Sequence, residues 1–150
     1  MKALVQRVST AEVTVDGRTV GSIGQGLLVL AGFGHGDEAR DLKWMTRKLT
    51  SLRIFPDSER EMNLSVSDVG GSILLVSQFT LHADTRKGNR PGFSNAAPPE
   101  KAEMLYKLLI EMVSACGIPL QTGIFGALMK VSLTNDGPVT IMLESPSERD

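Results

Sequence analysis

Hydroxyl, amide, imidazole, carboxylate and basic side chains crowd into one stretch, VSQFTLHADTRKGNRPGF at residues 76–93. Ser77, His82 and Asp84 carry the three groups of a nucleophilic hydrolase relay. Their spacing argues against one. The sharp G-x-S-x-G turn that exposes a nucleophilic serine is absent, and strand alternation gives these three no reason to converge. An isolated pair such as Ser77 and Thr80 ordinarily satisfies backbone groups near a buried strand. Arg86, Lys87 and Arg90 follow among glycine and proline. A cluster of that kind is ordinarily a solvated surface, and directly after a polar-ended strand it can also grip phosphates.

Other chemistry-bearing residues point to simpler roles. The glycines of AGFGHGDEARDLKW have the look of a phosphate cradle, but a dinucleotide fingerprint starting at Gly32 and Gly34 needs glycine where Asp37 stands. A carboxylate there would repel phosphate, so a plain loop with Asp37 as helix N-cap is expected. Cys116 falls on an apolar helical stripe without a histidine in local sequence reach, which reads as a small core residue. His35 and His82 belong to no ligand-spaced cluster, so neither a metal nor another cofactor is expected. TNDGPVT, residues 134–140, lies between two alternating stretches. Asn, Asp and Gly suit a tight hairpin, but Pro138 has no N–H for a ladder and must begin a strand, lie on an edge, or interrupt the pairing.

These residues need a scaffold, and the chain is long enough to make one. At 150 residues with 41% hydrophobic content, one domain spanning 1–150 is expected, burying roughly two thirds of its extended surface. The longest mainly apolar run, residues 26–33, is too short to span a bilayer, and residues 1–10 lack a signal-peptide pattern. A single cysteine excludes an internal disulfide, and a soluble cytoplasmic protein without a membrane partner is expected. Net charge is −1, so any polyanion must be held by a local basic cluster.

Residues 2–33 read as three strands with a turn at Asp16-Gly17. Leu42, Met45, Leu49 and Leu52 mark a first helix, and SILLVSQFTL reads as a central strand. Prolines 98 and 99 open a second helix with a stripe of Ala102, Leu105, Leu109, Met112 and Cys116, which Gly117 closes. The tail returns to β structure. Two isolated helices without regular βαβ alternation argue for an α+β fold with a largely antiparallel, strongly curved, barrel-like sheet.

SQFTL at 77–81 together with NDGPVT at 135–140 resembles the paired signature of the D-aminoacyl-tRNA deacylase family. The likeness extends through QRV at 6–8, GLLVL at 26–30, RIF at 53–55, MNLSV at 62–66, ADTRKGNRP at 83–91 and QTGIFGALMKVSL at 121–133, with Gly92, Ile124 and Leu128 departing from the family pattern. The resemblance implies a homodimer that hydrolyses the ester between a D-amino acid and the 3′-terminal adenosine of tRNA, with glycyl-tRNA as a second substrate and DNA not a partner. It implies that Gly137-Pro138 is a cis peptide inserted into the other subunit's site, where its carbonyls exclude an L side chain. It places catalysis at Ser77, Gln78, Phe79 and Thr80, a substrate pocket at Phe125, Met129, Val139 and Thr140, and tRNA contacts at Arg86, Lys87 and Arg90. No residue in these motifs is a persuasive general base, so the ribose 2′-OH is expected to assist, with backbone N–H groups around Gln78, Phe79 and Thr80 polarising the carbonyl. A serine or threonine esterase of small amino-acid esters and a non-catalytic tRNA-binding module are the alternative readings.

Overall fold

A computed structural model describes residues 1–147. Its elements are β1 (Lys2–Val15), β2 (Arg18–Ile23), β3 (Gly26–Gly32), α1 (Ala39–Ser51), β4 (Ser72–Ser77), α2 (Pro99–Ser114), β5 (Leu120–Thr122) and β6 (Lys130–Glu144). The order across the sheet is β2-β1-β3-β4-β5, and β6 lies on β1. Pairings of β1 with β2, β3 and β6 are antiparallel, whereas β3–β4 and β4–β5 are parallel. The α+β class with a mostly antiparallel, barrel-like sheet therefore holds, with a parallel segment, β3-β4-β5, at one end of the strand order.

Position in the sheet explains composition. β3 lies between β1 and β4 and is buried along nearly its whole length, as GLLVLAG suggests. One sheet face packs α1 and α2 through Val5, Leu27, Val29, Ile73 and Leu75 against Leu42, Leu49 and Leu109. The other face curls over a second cluster of Val8, Val13, Ile23, Leu28, Leu74 and Val76. The curl brings strands very close: a Cβ at Gly21 would sit 2.6 Å from the Thr122 carbonyl.

Three local expectations change. Asp37 does not cap α1; Glu38 is the N-cap, and its N–H donates to Asp41 Oδ2 at 2.9 Å. Asp37 is drawn instead to the buried Met1 ammonium at 2.6 Å, a charge that needs a partner out of water, and it also accepts from Gly34 N at 2.6 Å. The run SILLVSQFTL is not one strand. Its pairing with β3 stops at Ala31–Ser77, and Phe79–His82 turn into a short 3-10 segment. Ala102, Leu105 and Leu109 form the buried stripe of α2, but Cys116 lies beyond the helix end at Ser114, where helical periodicity no longer applies, and is exposed. Gly117 follows with φ +80°. At TNDGPVT, where Pro138 must begin a strand, lie on an edge or interrupt the pairing, it is the pairing that is interrupted: β6 runs on along β1 on both sides of it.

Candidate active site at the end of β4

The end of β4 opens into a cleft of about 720 Å³ lined mostly by apolar side chains. Ala31, Gly32 and Phe33 from β3 and its extension, with Val76 and Ser77 from β4, form its base. Residues 93–99 make one wall, while Phe125, Gly126, Ala127 and Met129 make the other. The first wall is tied to the β3 end by Ala97 N donating to Phe33 O at 2.9 Å and by a 2.6 Å contact between His35 Nε2 and Ser94 O. Tyr106 of α2 lies beside Phe125 at 5.9 Å and donates to Leu75 O at 2.7 Å, so helix and cleft wall are seated on β4 together. Burial pushes the Tyr106 phenol up to about 12, with partial relief from Thr122 and the Gly123 backbone.

Close approach of two backbones sets the turn at the mouth. A Cβ at Gly32 would meet the Gln78 carbonyl at 2.7 Å and the His82 ring at 3.1 Å, so glycine lets the 3-10 segment lie on β3. Gln78 N donates to Ala31 O at 2.8 Å, continuing the ladder by one bond. That N–H is therefore committed to the sheet, which removes it from the expected carbonyl-polarising set. Phe79 and Thr80 open the 3-10 turn, where the first N–H groups find no carbonyl within the turn. Thr80 hydroxyl is engaged by the Gln78 side-chain amide. Phe79 is exposed and packs edge-on against Phe93 at 5.1 Å.

Ser77, Gln78, Phe79, Phe125 and Met129 thus meet in one cleft. Thr80 stands just outside its lining. The hydrolase relay is not assembled: the His82 ring is buried beneath Gly32 and Gly34, and Asp84 is held by Arg86. Arg86, Lys87 and Arg90 are all exposed on the loop that leads from this turn to Phe93.

Gly137 and Pro138 lie elsewhere on the same chain. Val8 pairs with Asn135 and Gln6 with Thr140, so residues 136–139 stand opposite Arg7 alone and bulge from the ladder. Asn135 closes the neck of the bulge: its Oδ1 accepts from Val139 N at 2.7 Å, and its Nδ2 donates to Val139 O at 3.1 Å. Arg7, buried, donates from Nε to Asp136 O at 2.7 Å and from Nη1 to Ile54 O at 2.7 Å. Gly137–Pro138 is cis and exposed, Val139 is packed in the main core, and Thr140 is exposed beside Gln6. None of these four lines its own chain's cleft. Sequence reasoning gave Arg7 no role, although its place on the inward face after Ala3 and Val5 marks a charge that must be satisfied inside.

Residues 4–144 match the family described as D-Tyr-tRNA(Tyr) deacylase. A D-aminoacyl-tRNA deacylase of Chloroherpeton thalassium is 55% identical, covering 100% of this chain and 99% of that one. Its counterpart in Anaeromyxobacter dehalogenans is 56% identical over 97% of each. Among solved structures, a protein described as c-Myc DNA Unwinding Element Binding Protein superposes with a TM-score of 0.92 at 44% identity, covering 98% of this chain and 100% of that one. A probable eukaryotic D-amino acid tRNA deacylase shares the fold, with a TM-score of 0.79 at 19% identity and coverage of 95% and 97%. With a family match across nearly the whole chain and relatives above half identity, this chain belongs to the D-Tyr-tRNA(Tyr) deacylase family.

Proposed function

We propose that this single-domain chain is a hydrolase of the ester in D-aminoacyl-tRNA, releasing free D-amino acid and tRNA, with glycyl-tRNA carried on tRNA(Ala) as a second substrate. The observation that carries the reading is the pairing of a 720 Å³ cleft with the N–H groups of Phe79 and Thr80 at its mouth, beside Ser77. An ester carbonyl placed there meets donors suited to a developing oxyanion. Ser77 orients the substrate by hydrogen bonding, Gln78 holds Thr80 in place, and Phe125 and Met129 bear on the terminal adenosine or the aminoacyl group. Water is oriented by the ribose 2′-OH adjacent to the scissile bond; His35 also lines the cleft, but its Nε2 is engaged by Ser94 O at 2.6 Å, so the substrate's own hydroxyl takes that part.

Chirality is read in trans. Gly137 and Pro138 are exposed, stand outside their own chain's cleft, and are fixed at their base by Arg7 and Asn135. A second copy presenting this turn to the cleft places a rigid backbone where an L side chain would lie, while a D side chain points outward. Val139 anchors the turn in the core and Thr140 flanks it. Arg86, Lys87 and Arg90 hold phosphates of the acceptor end, and the enzyme works as a cytoplasmic homodimer in translation quality control.

Matched D- and L-aminoacyl-tRNAs, their 2′-deoxy counterparts and free D-amino-acid esters, each followed for ester loss, test this reading. D-aminoacyl-tRNA is cleaved, its L form is spared, and the 2′-deoxy substrate is slowed at least tenfold. Equal turnover of free esters would make the protein a small-molecule esterase. Tight tRNA binding without turnover would make it a binding module.

A further inference from the structure

The basic residues outside the cleft stand on one closed loop. Asp84 N donates to Gly92 O at 2.7 Å and Gly92 N to Asp84 O at 2.9 Å, so a short antiparallel bridge shuts its base. The next residue, Phe93, packs on Phe79, which sets that base beside the mouth of the cleft. Within the loop, Arg86 is treated differently from its neighbours. Its Nε donates to Asp84 Oδ1 at 2.9 Å and its Nη2 to Asp84 Oδ2 at 2.7 Å, a two-point fork, while its backbone N–H reaches Asp84 Oδ1 at 3.1 Å. Among the described residues, Lys87 and Arg90 have no ion-pair partner. The fork holds the Asp84 carboxyl at about 2, so it is ionised throughout the range in which RNA is handled.

Such a pair needs a reason. An ion pair this exposed adds little to stability, and a carboxylate on a loop facing RNA costs long-range attraction. A guanidinium has five N–H donors in a rigid plane, however, and the fork commits only the edge turned to Asp84. The remaining edge belongs to a side chain that is 84% exposed, and its direction is fixed by the pair. A planar group fixed in this way can take two phosphate oxygens without first losing its rotamer freedom.

We infer that Asp84 is a positioning residue for RNA binding, holding the Arg86 guanidinium so that its free edge meets a phosphate of the acceptor strand. The inference rests on the tRNA reading above and deepens it. Simple charge counting gives the opposite sign, since removing a carboxylate should tighten RNA binding.

The test measures affinity for uncharged tRNA across salt concentrations for the wild type, Asp84→Asn, Arg86→Ala, the double variant and Arg86→Lys. Asparagine still accepts the Arg86 backbone N–H, so the turn is kept while the charged fork is lost. Asp84→Asn should weaken binding about three- to tenfold, Arg86→Lys should do the same because lysine cannot fork, and Asp84→Asn should add nothing once Arg86 is alanine. Equal or tighter binding by Asp84→Asn, with Arg86→Ala still weakened, would show that Asp84 only competes with RNA and would overturn the positioning role alone. A loss that persists in the Arg86→Ala background would assign Asp84 to loop folding and overturn it too. Unchanged salt dependence in Arg86→Ala, Lys87→Ala and Arg90→Ala together would remove the loop from the RNA surface, and the wider assignment of these three residues with it.

Discussion

Thr80 carries the hydroxyl most easily taken for a nucleophile, yet that hydroxyl is engaged by the Gln78 amide and stands outside the cleft lining. Thr80→Ala should therefore keep turnover within about tenfold of wild type, the loss coming from a less rigid turn. Single-turnover assays with a search for a trapped acyl-enzyme decide this; turnover at background in a folded variant, or an acyl-enzyme trapped on Thr80, would overturn the substrate-assisted mechanism. Gly137 has the opposite sensitivity. Its φ is +156°, and an added Cβ would stand 2.6 Å from Val139 N and 2.8 Å from Val139 Cγ2. Because Val139 is anchored in the core and its N–H is held by Asn135, the turn must shift. Gly137→Ala is expected to lower D-aminoacyl-tRNA hydrolysis at least tenfold with a small change in melting temperature, read by kcat beside a thermal scan. The sequence made Ser77 and Gly137 visible as candidates through their motifs. It could not show that Gln78 N–H is spent on Ala31, since that depends on where β4 stops and on how closely glycine lets the turn lie on β3.

The elements differ in how far they tolerate change. β3 and β4 pair so closely that a Cβ at Gly26 would lie 1.8 Å from Ser72 O. Gly26→Ala must separate the parallel strands that form the cleft base, and expression in inclusion bodies or a melting temperature lowered by more than about 8 °C is the expected result. α2 is seated more gently, by the Tyr106 hydroxyl on Leu75 O. The folded phenol is raised to about 12 from an ordinary value near 10, so the folded state binds this proton more tightly. Its contribution is whole below pH 10 or so and is lost as pH rises toward 12. Urea midpoints of wild type and Tyr106→Phe should differ at pH 8 and converge across that window; parallel curves would show that the phenol does not titrate in this way. Element existence was plain from periodicity for α1, α2 and the first three strands. What escaped was set by neighbours. SILLVSQFTL has strand composition throughout, but pairing stops at Ser77 because β3 itself ends at Gly32. Asp37 has the chemistry of an N-cap and was claimed by an ammonium far away in sequence.

At the scale of the whole molecule, β6 is a long strand that, among the described residues, pairs only with β1, with Leu133 and Met142 exposed along it and the Gly137–Pro138 turn at its middle. A long open edge with apolar side chains invites a partner. In the homodimer proposed here, Leu133→Lys with Met142→Lys should halve the mass measured by light scattering and reduce D-aminoacyl-tRNA hydrolysis about 100-fold, since each cleft loses the turn supplied from the other copy. A monomeric variant with full activity and full L-rejection would place the chiral filter within one chain. The β1–β6 ladder also has a consequence in time. It pairs Lys2 with Glu144, so the first strand made waits for the last. At roughly 5–20 residues per second of synthesis, that interval is on the order of 10 s. β2 and β3 can settle on β1 early, leaving one flank of a 14-residue strand uncovered until translation is nearly complete. The nascent chain is thus most open to mispairing or chaperone capture along that flank, and a ribosome stalled before residue 130 would carry a chain with the Ser77 strand already made and the Gly137 turn not yet translated.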